Sequence, residues 1–175
     1  MSVLRFEVED ASSLHHARTT GPLITIVMSS AVAAPPQRLW RALTVPEELL
    51  AWDEHRLSAV DPTDAYPKEG ETVRWRYRLG SVPIVMRDKP LDVVPGRKLR
   101  SKVALGSLVF DQTFTLAVEQ NQGDDVTTLL GMKVAASNSA AVMGTVIDRF
   151  EVRRMTADHV DSTLRAITKH CEGDA

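Results

Sequence analysis

The chain has 175 residues, with Lys and Arg totalling 21, Asp and Glu totalling 23 and a formal net charge of −2. That length suits one domain with a single sizeable core, and the near-balance of charge leaves no global basic field to draw in nucleic acid or anionic lipid. The lone cysteine, Cys171, excludes an internal disulfide and a multi-cysteine zinc site.

Residues 1–21 read as a flexible N-terminal extension, and residues 22–172 as one domain. The extension carries the pair His15–His16 and ends at the turn signal Gly21–Pro22. It has no apolar run long enough for a signal peptide, and no segment of the chain approaches the roughly 20 apolar residues of a membrane span. A cytoplasmic protein without membrane insertion is expected.

From Leu23, "LITIVMSSAVAA" is apolar and β-branched and predicts a strand. Pro35–Pro36 ends it and suits the first turn of a short helix, "QRLWRAL". "TVPE" follows, a capping box with Thr44 as the cap of a second short helix that ends at Trp52. Six further strands are predicted. "HRLSAV" is the first. In "ETVRWRYRL", Val73, Trp75, Tyr77 and Leu79 alternate with Arg74, Arg76 and Arg78. "VPIVMRDKPLDVV" is interrupted by Pro90, which marks an edge or a bulge. "RKLRSKVAL", "SLVFDQTFTLAVEQ" and "VTTLLGMKVAA" alternate again, the last two separated by the turn "NQGDD". Short connections between consecutive strands imply an antiparallel sheet with one buried face.

A helical pattern closes the chain from about Ser139 to His170, capped by Asn138 or Ser139. Its apolar ladder is Met143, Ile147, Phe150, Ala157, Val160, Leu164 and Ile167. Such a helix would run roughly 48 Å, too long for one sheet, so it must bend near Gly144 or overhang. Phe150, the bulkiest rung, is expected against the sheet. The order of elements gives an α+β fold. A curved seven-stranded antiparallel sheet wraps around the last helix, with two short helices plugging the open side.

This order, with "PPQRLWRALTVPEELLAWD" and "PLDVVPGRKL", resembles the START-like SRPBCC superfamily over about residues 23–171. Its helix-grip fold is that of birch-pollen allergens, START domains and polyketide cyclases. The resemblance implies a cavity for a hydrophobic small molecule. It leaves three roles open: cofactor-free cyclisation or dehydration of a polyketide-like substrate, non-enzymatic carriage or sequestration as in resistance proteins, and protein interaction as in heat-shock ATPase activators.

The inward sheet positions carry the functional signal, because they mix polar and aromatic groups with aliphatic ones. Trp75, Tyr77, Ser101, Phe110, Gln112, Phe114, Thr128 and Met132, with Phe150 and Trp52, are the candidate lining of a cavity of roughly 300–1,000 Å³. A polar side chain in a packed core costs a few kcal/mol unless it is partnered, whereas a wet or ligand-filled cavity supplies partners. Trp52 is alternatively a lock on the helix-to-strand turn. The catalytic candidates are His55, Tyr77, Arg153 and Arg154. Either arginine fits the gap in the helical ladder and would face the sheet, or both snorkel to the rim. The histidines are scattered, which argues against a metal site, and no phosphate loop or nucleophile elbow is present. No cofactor is expected. Arg74, Arg76 and Arg78, on the opposite face of their strand, are either solvated or a docking patch for an acidic protein.

Overall fold

The computed structural model describes residues 23–106, 108–119, 126–137, 140–142, 145–147 and 149–173. The expected extension at 1–21, the histidine pair within it, the "NQGDD" turn, Met143 and Gly144 lie outside the described residues. Seven strands form one curved antiparallel sheet: β1 (Leu23–Val32), β2 (Arg56–Ala59), β3 (Val73–Leu79), β4 (Val82–Val94), β5 (Lys98–Leu105), β6 (Leu108–Glu119) and β7 (Thr127–Ser137). Their order is β1-β7-β6-β5-β4-β3-β2, so the first strand returns beside the last and β2 forms the far edge.

The alternation in the sequence sets which face is buried. On β3, Val73, Trp75 and Tyr77 are buried while Arg74, Arg76 and Arg78 are exposed. On β5 the buried set is Leu99, Ser101, Val103 and Leu105. On β7 it is Thr128, Leu130, Met132, Val134 and Ala136. Pro90 marks a bulge, because the pairing of β4 with β5 shifts register between Pro90 and Asp92. This strand lies inside the sheet rather than at its edge.

Two short helices follow β1, namely α1 (Pro36–Thr44) and α2 (Pro46–Trp52). Each has proline in its first turn, where a missing N–H costs nothing. The capping box is not formed. Val45 occupies the N-cap of α2 without a side-chain bond, and the Thr44 hydroxyl turns back to donate to the Trp40 carbonyl at 2.7 Å. Thr44 is the last residue of α1, one position ahead of that N-cap. The Trp52 Nε1–H donates to the Ala42 carbonyl at 2.8 Å and ties the two helices together.

The last helix, α3 (Arg149–Glu172), has 24 residues. It spans about 36 Å, so neither bend nor overhang is required. The segment before it, expected to be helical, is a hairpin of β8 (Ala140–Val142) and β9 (Thr145–Ile147), so Val146 and Ile147 lie in a strand. The ladder holds from Val160 through Leu164 and Ile167, extends to Cys171, and slips at its start. Phe150 is 82% exposed, and the buried rungs are Val152 and Thr156. Four-residue steps back from Val160 reach these two directly. Thr156 is tolerated there because its hydroxyl donates to the Val152 carbonyl at 2.6 Å.

Polar contacts pin the C-terminal half of α3 to the helix pair and β1. Glu48 on α2 accepts from Arg38 on α1 and lies 3.3 Å from His170 Nε2. Glu172 accepts the Ala33 N–H at 2.9 Å. The N-terminal half of α3 lies over the ends of β5, β6 and β7, where the grip stays open.

Candidate ligand site

Between the sheet and the first half of α3 lies an apolar chamber of about 130 Å³. Tyr77 and Leu79 of β3, Leu105 of β5, Leu108 and Phe110 of β6, and Val134 and Ala136 of β7 form its sheet side. Val152, Met155, Thr156 and His159 close it from the helix. These four recur at spacings of three and four, one stripe of the helix. The volume is below the range expected from the sequence, because Trp75, Phe114 and Met132 fill their part of the grip with their own bulk.

A second space of about 640 Å³ opens next to the first. This cleft runs between the end of α2 and the outer flank of α3, past Trp52, Asp53, Glu54, His55, Ser162, Arg165 and Lys169. Its lining mixes charged and polar side chains with Ala51, Trp52 and Ala166, where the chamber's is predominantly apolar. Tyr77 and His159 line both spaces and therefore stand at their junction.

The junction is built from neighbouring elements. Asp53 caps the C-terminus of α2, accepts the His55 N–H at 3.2 Å and stands 3.4 Å from Arg56 Nε. The His55 carbonyl in turn accepts the Arg78 N–H at 2.7 Å, and the His55 ring lies 5.9 Å from that of Tyr77. Burial pushes the Tyr77 hydroxyl well up from its ordinary range, and the Asp53 charge adds to this against Arg56. Tyr77 is therefore a neutral hydrogen-bond donor at every physiological pH. His159 packs edge-on to Phe110 at 5.9 Å, and its Nε2 lies 3.4 Å from Gln112 Oε1. Burial holds the imidazole below its ordinary pKa of 6.5, His55 works in the same direction and Asp53 opposes them. The ring is neutral at pH 7.

Behind the junction lies a buried charged cluster. Arg56 pairs across the strands with Tyr77 and stacks its guanidinium 4.5 Å over the Trp75 ring. Its Nη1 lies 4.0 Å from Asp88 Oδ2, which accepts the Tyr66 hydroxyl at 2.9 Å. Tyr66 meets Trp75 edge-on at 5.8 Å. Burial raises the Asp88 carboxyl, while Arg56, Tyr66 and Ser101 pull it down without reversing the direction. This cluster seals the β2 edge of the grip and does not line the chamber. Among the described residues, no group of three or more His, Cys, Asp and Glu side chains is placed to hold a metal ion.

The model of the family described as polyketide cyclase / dehydrase and lipid transport matches residues 24–172. The chain belongs to this family. With it comes the START-like SRPBCC assignment, and solved structures agree in fold. A START superfamily protein from Mycobacterium smegmatis superposes with a TM-score of 0.68 at 11% identity, covering 86% of this chain and 99% of that one. A protein from Mesorhizobium loti gives 0.62 at 20% identity, covering 86% and 98%. CalU16 from Micromonospora echinospora gives 0.61 at 16% identity, covering 99% and 86%. At such identities the likeness is one of fold. No curated protein matches the chain in sequence. No helix among the described residues is long and apolar enough to cross a membrane, which leaves β-barrels unaddressed.

Within this family member, the expected site residues divide into distinct groups. Tyr77 and Phe110 line the chamber, while Trp52, His55 and Tyr77 line the cleft. Gln112 reaches the site indirectly, through His159. Trp75 faces inward but is enclosed by Arg56 and Tyr66, away from the chamber. Phe114 and Met132 are cross-strand partners in packed core. Thr128 is fully buried and donates to the Ala34 carbonyl at 2.7 Å, securing the chain as it leaves β1. Ser101 belongs with the Asp88 cluster. Phe150, Arg153 and Arg154 are exposed, because the helix is phased on Val152 and Thr156. Neither arginine fills the gap in the ladder. The sequence reading missed Val152, Met155, Thr156 and His159 as site residues. A four-residue step back from Val160 marks Thr156 and Val152, and three- and four-residue steps back from Ser162 mark His159 and Met155.

Proposed function

We propose that the protein binds a small apolar or aromatic molecule, lipid- or polyketide-like in character. Its apolar end enters the chamber and its polar end lies in the cleft. The observation that carries this is the junction: an apolar chamber and a polar cleft share Tyr77 and His159 as a common wall. A chamber of this size suits a single aromatic ring, since an engineered apolar cavity of about 150 Å³ holds benzene. A larger ligand would extend into the cleft. Cyclisation or dehydration without a cofactor fits the same geometry, with the Tyr77 hydroxyl polarising a ligand carbonyl and folding of the bound chain providing proximity. Carriage or sequestration without turnover needs the same walls and no reacting group. A cytoplasmic setting suits the single cysteine.

Native mass spectrometry of the protein purified from its own source tests the proposal. A small apolar molecule retained at one per chain is the expected result. A bare mass, together with no exchange of added aromatic compounds into the chamber, would contradict it.

A second proposal rests on the convex face. Arg74 stands directly opposite Arg87, and Lys89 directly opposite Lys102. Like charges in direct register destabilise a sheet. Asp61 answers Arg74 and Asp111 answers Arg100, at 2.7 and 2.8 Å. This arrangement favours docking of an acidic protein along Arg76, Arg78 and Arg87. Pull-down with a matched triple Glu variant would lose that partner while leaving ligand retention intact.

A further inference from the structure

The buried cluster at the β2 edge carries an inference of its own, independent of the chamber and the cleft. Among the described residues, the buried side-chain atoms without a hydrogen-bond partner are Arg56 Nη1, Trp75 Nε1, Asp88 Oδ1 and Ser101 Oγ. They fall in one neighbourhood, and each residue is at least nine-tenths buried. Trp75 on β3, Asp88 on β4 and Ser101 on β5 face inward from adjacent strands. Asp88 is the middle member. It pairs with Val73 on one side, two residues from Trp75, and with Val103 on the other, two residues from Ser101. Such diagonal neighbours lie about 7–8 Å apart, within reach of one bridging molecule. Arg56 completes the group. Its guanidinium lies 4.5 Å over the Trp75 ring, and Nη1 stands 4.0 Å from Asp88 Oδ2, beyond a direct hydrogen bond. None of the four residues lines the chamber or the cleft.

The chemistry of the four atoms defines what they hold. Arg56 Nη1 and Trp75 Nε1 can only donate, the Asp88 carboxylate accepts beside Arg56, and the Ser101 hydroxyl does either. An anion would be repelled by Asp88 and a cation by Arg56, and an apolar molecule would answer none of the four. A buried polar atom left unmet is costly, and ordered water is the usual remedy. We infer that this corner of the grip is an internal water site, in which ordered water accepts from Arg56 Nη1–H and Trp75 Nε1–H and donates to Asp88 Oδ1 and Ser101 Oγ. Tyr66 closes the site from the loop before β3, and its bond to Asp88 Oδ2 leaves Oδ1 for the water. The water then ties β2, β3, β4 and β5 together through side chains. That tie falls where the backbone is weakest, since β2 is an edge strand whose pairing with β3 shifts register between Arg56 and Ser58. Arg56 and Asp88 are in this view a solvent-bridged pair.

A crystal structure of the full chain and oxygen-17 relaxation dispersion in solution test the site together. The expected density is a water oxygen within about 3.2 Å of Asp88 Oδ1 and of at least one of the other three atoms. In solution, Ser101→Val fills the space with methyl groups and removes the hydroxyl, so it should lose one long-lived water per chain relative to wild type. Met132→Leu, buried elsewhere in the core, should lose none. Direct bonds among the four atoms with no solvent density between them would overturn the inference, as would an unchanged dispersion in a folded Ser101→Val. A bromide ion located there by anomalous scattering after a soak would overturn the neutral occupant. Should Ser101→Val fail to fold, the wild-type density decides: water bridging Asp88 supports the inference, and its absence overturns it.

Discussion

Replacing Arg56 with Met should be the most informative single perturbation of the fold. The guanidinium is 8% exposed, stacks on Trp75 at 4.5 Å and faces Asp53 at 3.4 Å and Asp88 at 4.0 Å. Met replaces the aliphatic stem and much of the contact with the indole but supplies no charge. Asp88, 4% exposed, would keep the Tyr66 hydroxyl and lose its cation. Removing one partner of a buried pair typically costs about 3–5 kcal/mol, since the other charge is left uncompensated. That magnitude applies at pH 7 and shrinks in acid. The Asp88 carboxyl is already raised above 3.8 in the folded protein, by burial first, and loss of Arg56 raises it further. A carboxyl raised by folding contributes stability below its unfolded pKa and loses it as pH rises through the folded one. The gap between wild type and variant should therefore be about 1 kcal/mol near pH 4 and open towards pH 7. Urea denaturation at both pH values measures it. Adding Asp88→Asn to Arg56→Met should restore most of the loss at pH 7. A loss under about 1 kcal/mol at pH 7, or an equal loss at both pH values, would refute the buried pairing.

Further outcomes follow from the same geometry. Val152→Ala should cost about 2 kcal/mol and Phe150→Ser less than about 0.5 kcal/mol; thermal melts showing the reverse order would mean the phase of α3 is wrong. His159 is held neutral, so its contribution to stability is present above pH 6.5 and lost as pH falls through its lower folded pKa. A His159→Gln variant should flatten that limb of the melting curve between pH 7.5 and 5, and parallel curves would contradict the assignment. Trp52→Phe should cost about 1 kcal/mol in urea by leaving the Ala42 carbonyl without its donor, while an unchanged midpoint would show that water replaces it.

The sheet was legible because strand alternation is a local signal. Arg74, Arg76 and Arg78 had to face away from Trp75 and Tyr77 whatever the rest of the chain did. The end of α3 was legible for the same reason, its rungs being plain aliphatics. Its beginning was not. Thr156 reads as polar in the sequence and becomes a core rung only through its bond to the Val152 carbonyl, so the ladder was continued to the larger Phe150 instead. Trp75 illustrates a different limit. Its inward direction follows from parity, but its enclosure comes from Arg56 and Tyr66, 19 and 9 residues away in a β-edge and a loop that periodicity does not describe. Tyr77 and Phe110 reached the chamber, whereas His159, Gln112's partner, was visible only as one of several scattered histidines. The division of the grip into packed core and open chamber depends on side-chain volumes summed across five elements. No single stretch of sequence encodes that sum.

The central claim is that the space walled by β3, β5, β6, β7 and the first half of α3 takes up an aromatic ring. Methyl NMR of the selectively labelled protein, titrated with p-cresol, tests it most directly. Shifts and ligand contacts should concentrate on the methyl groups of Leu79, Leu105, Leu108, Val134 and Val152. Leu130, Leu39 and Leu43, buried elsewhere in the core, should stay unmoved. Shifts spread evenly over the molecule, or confined to the exposed Val85 and Val109, would contradict it.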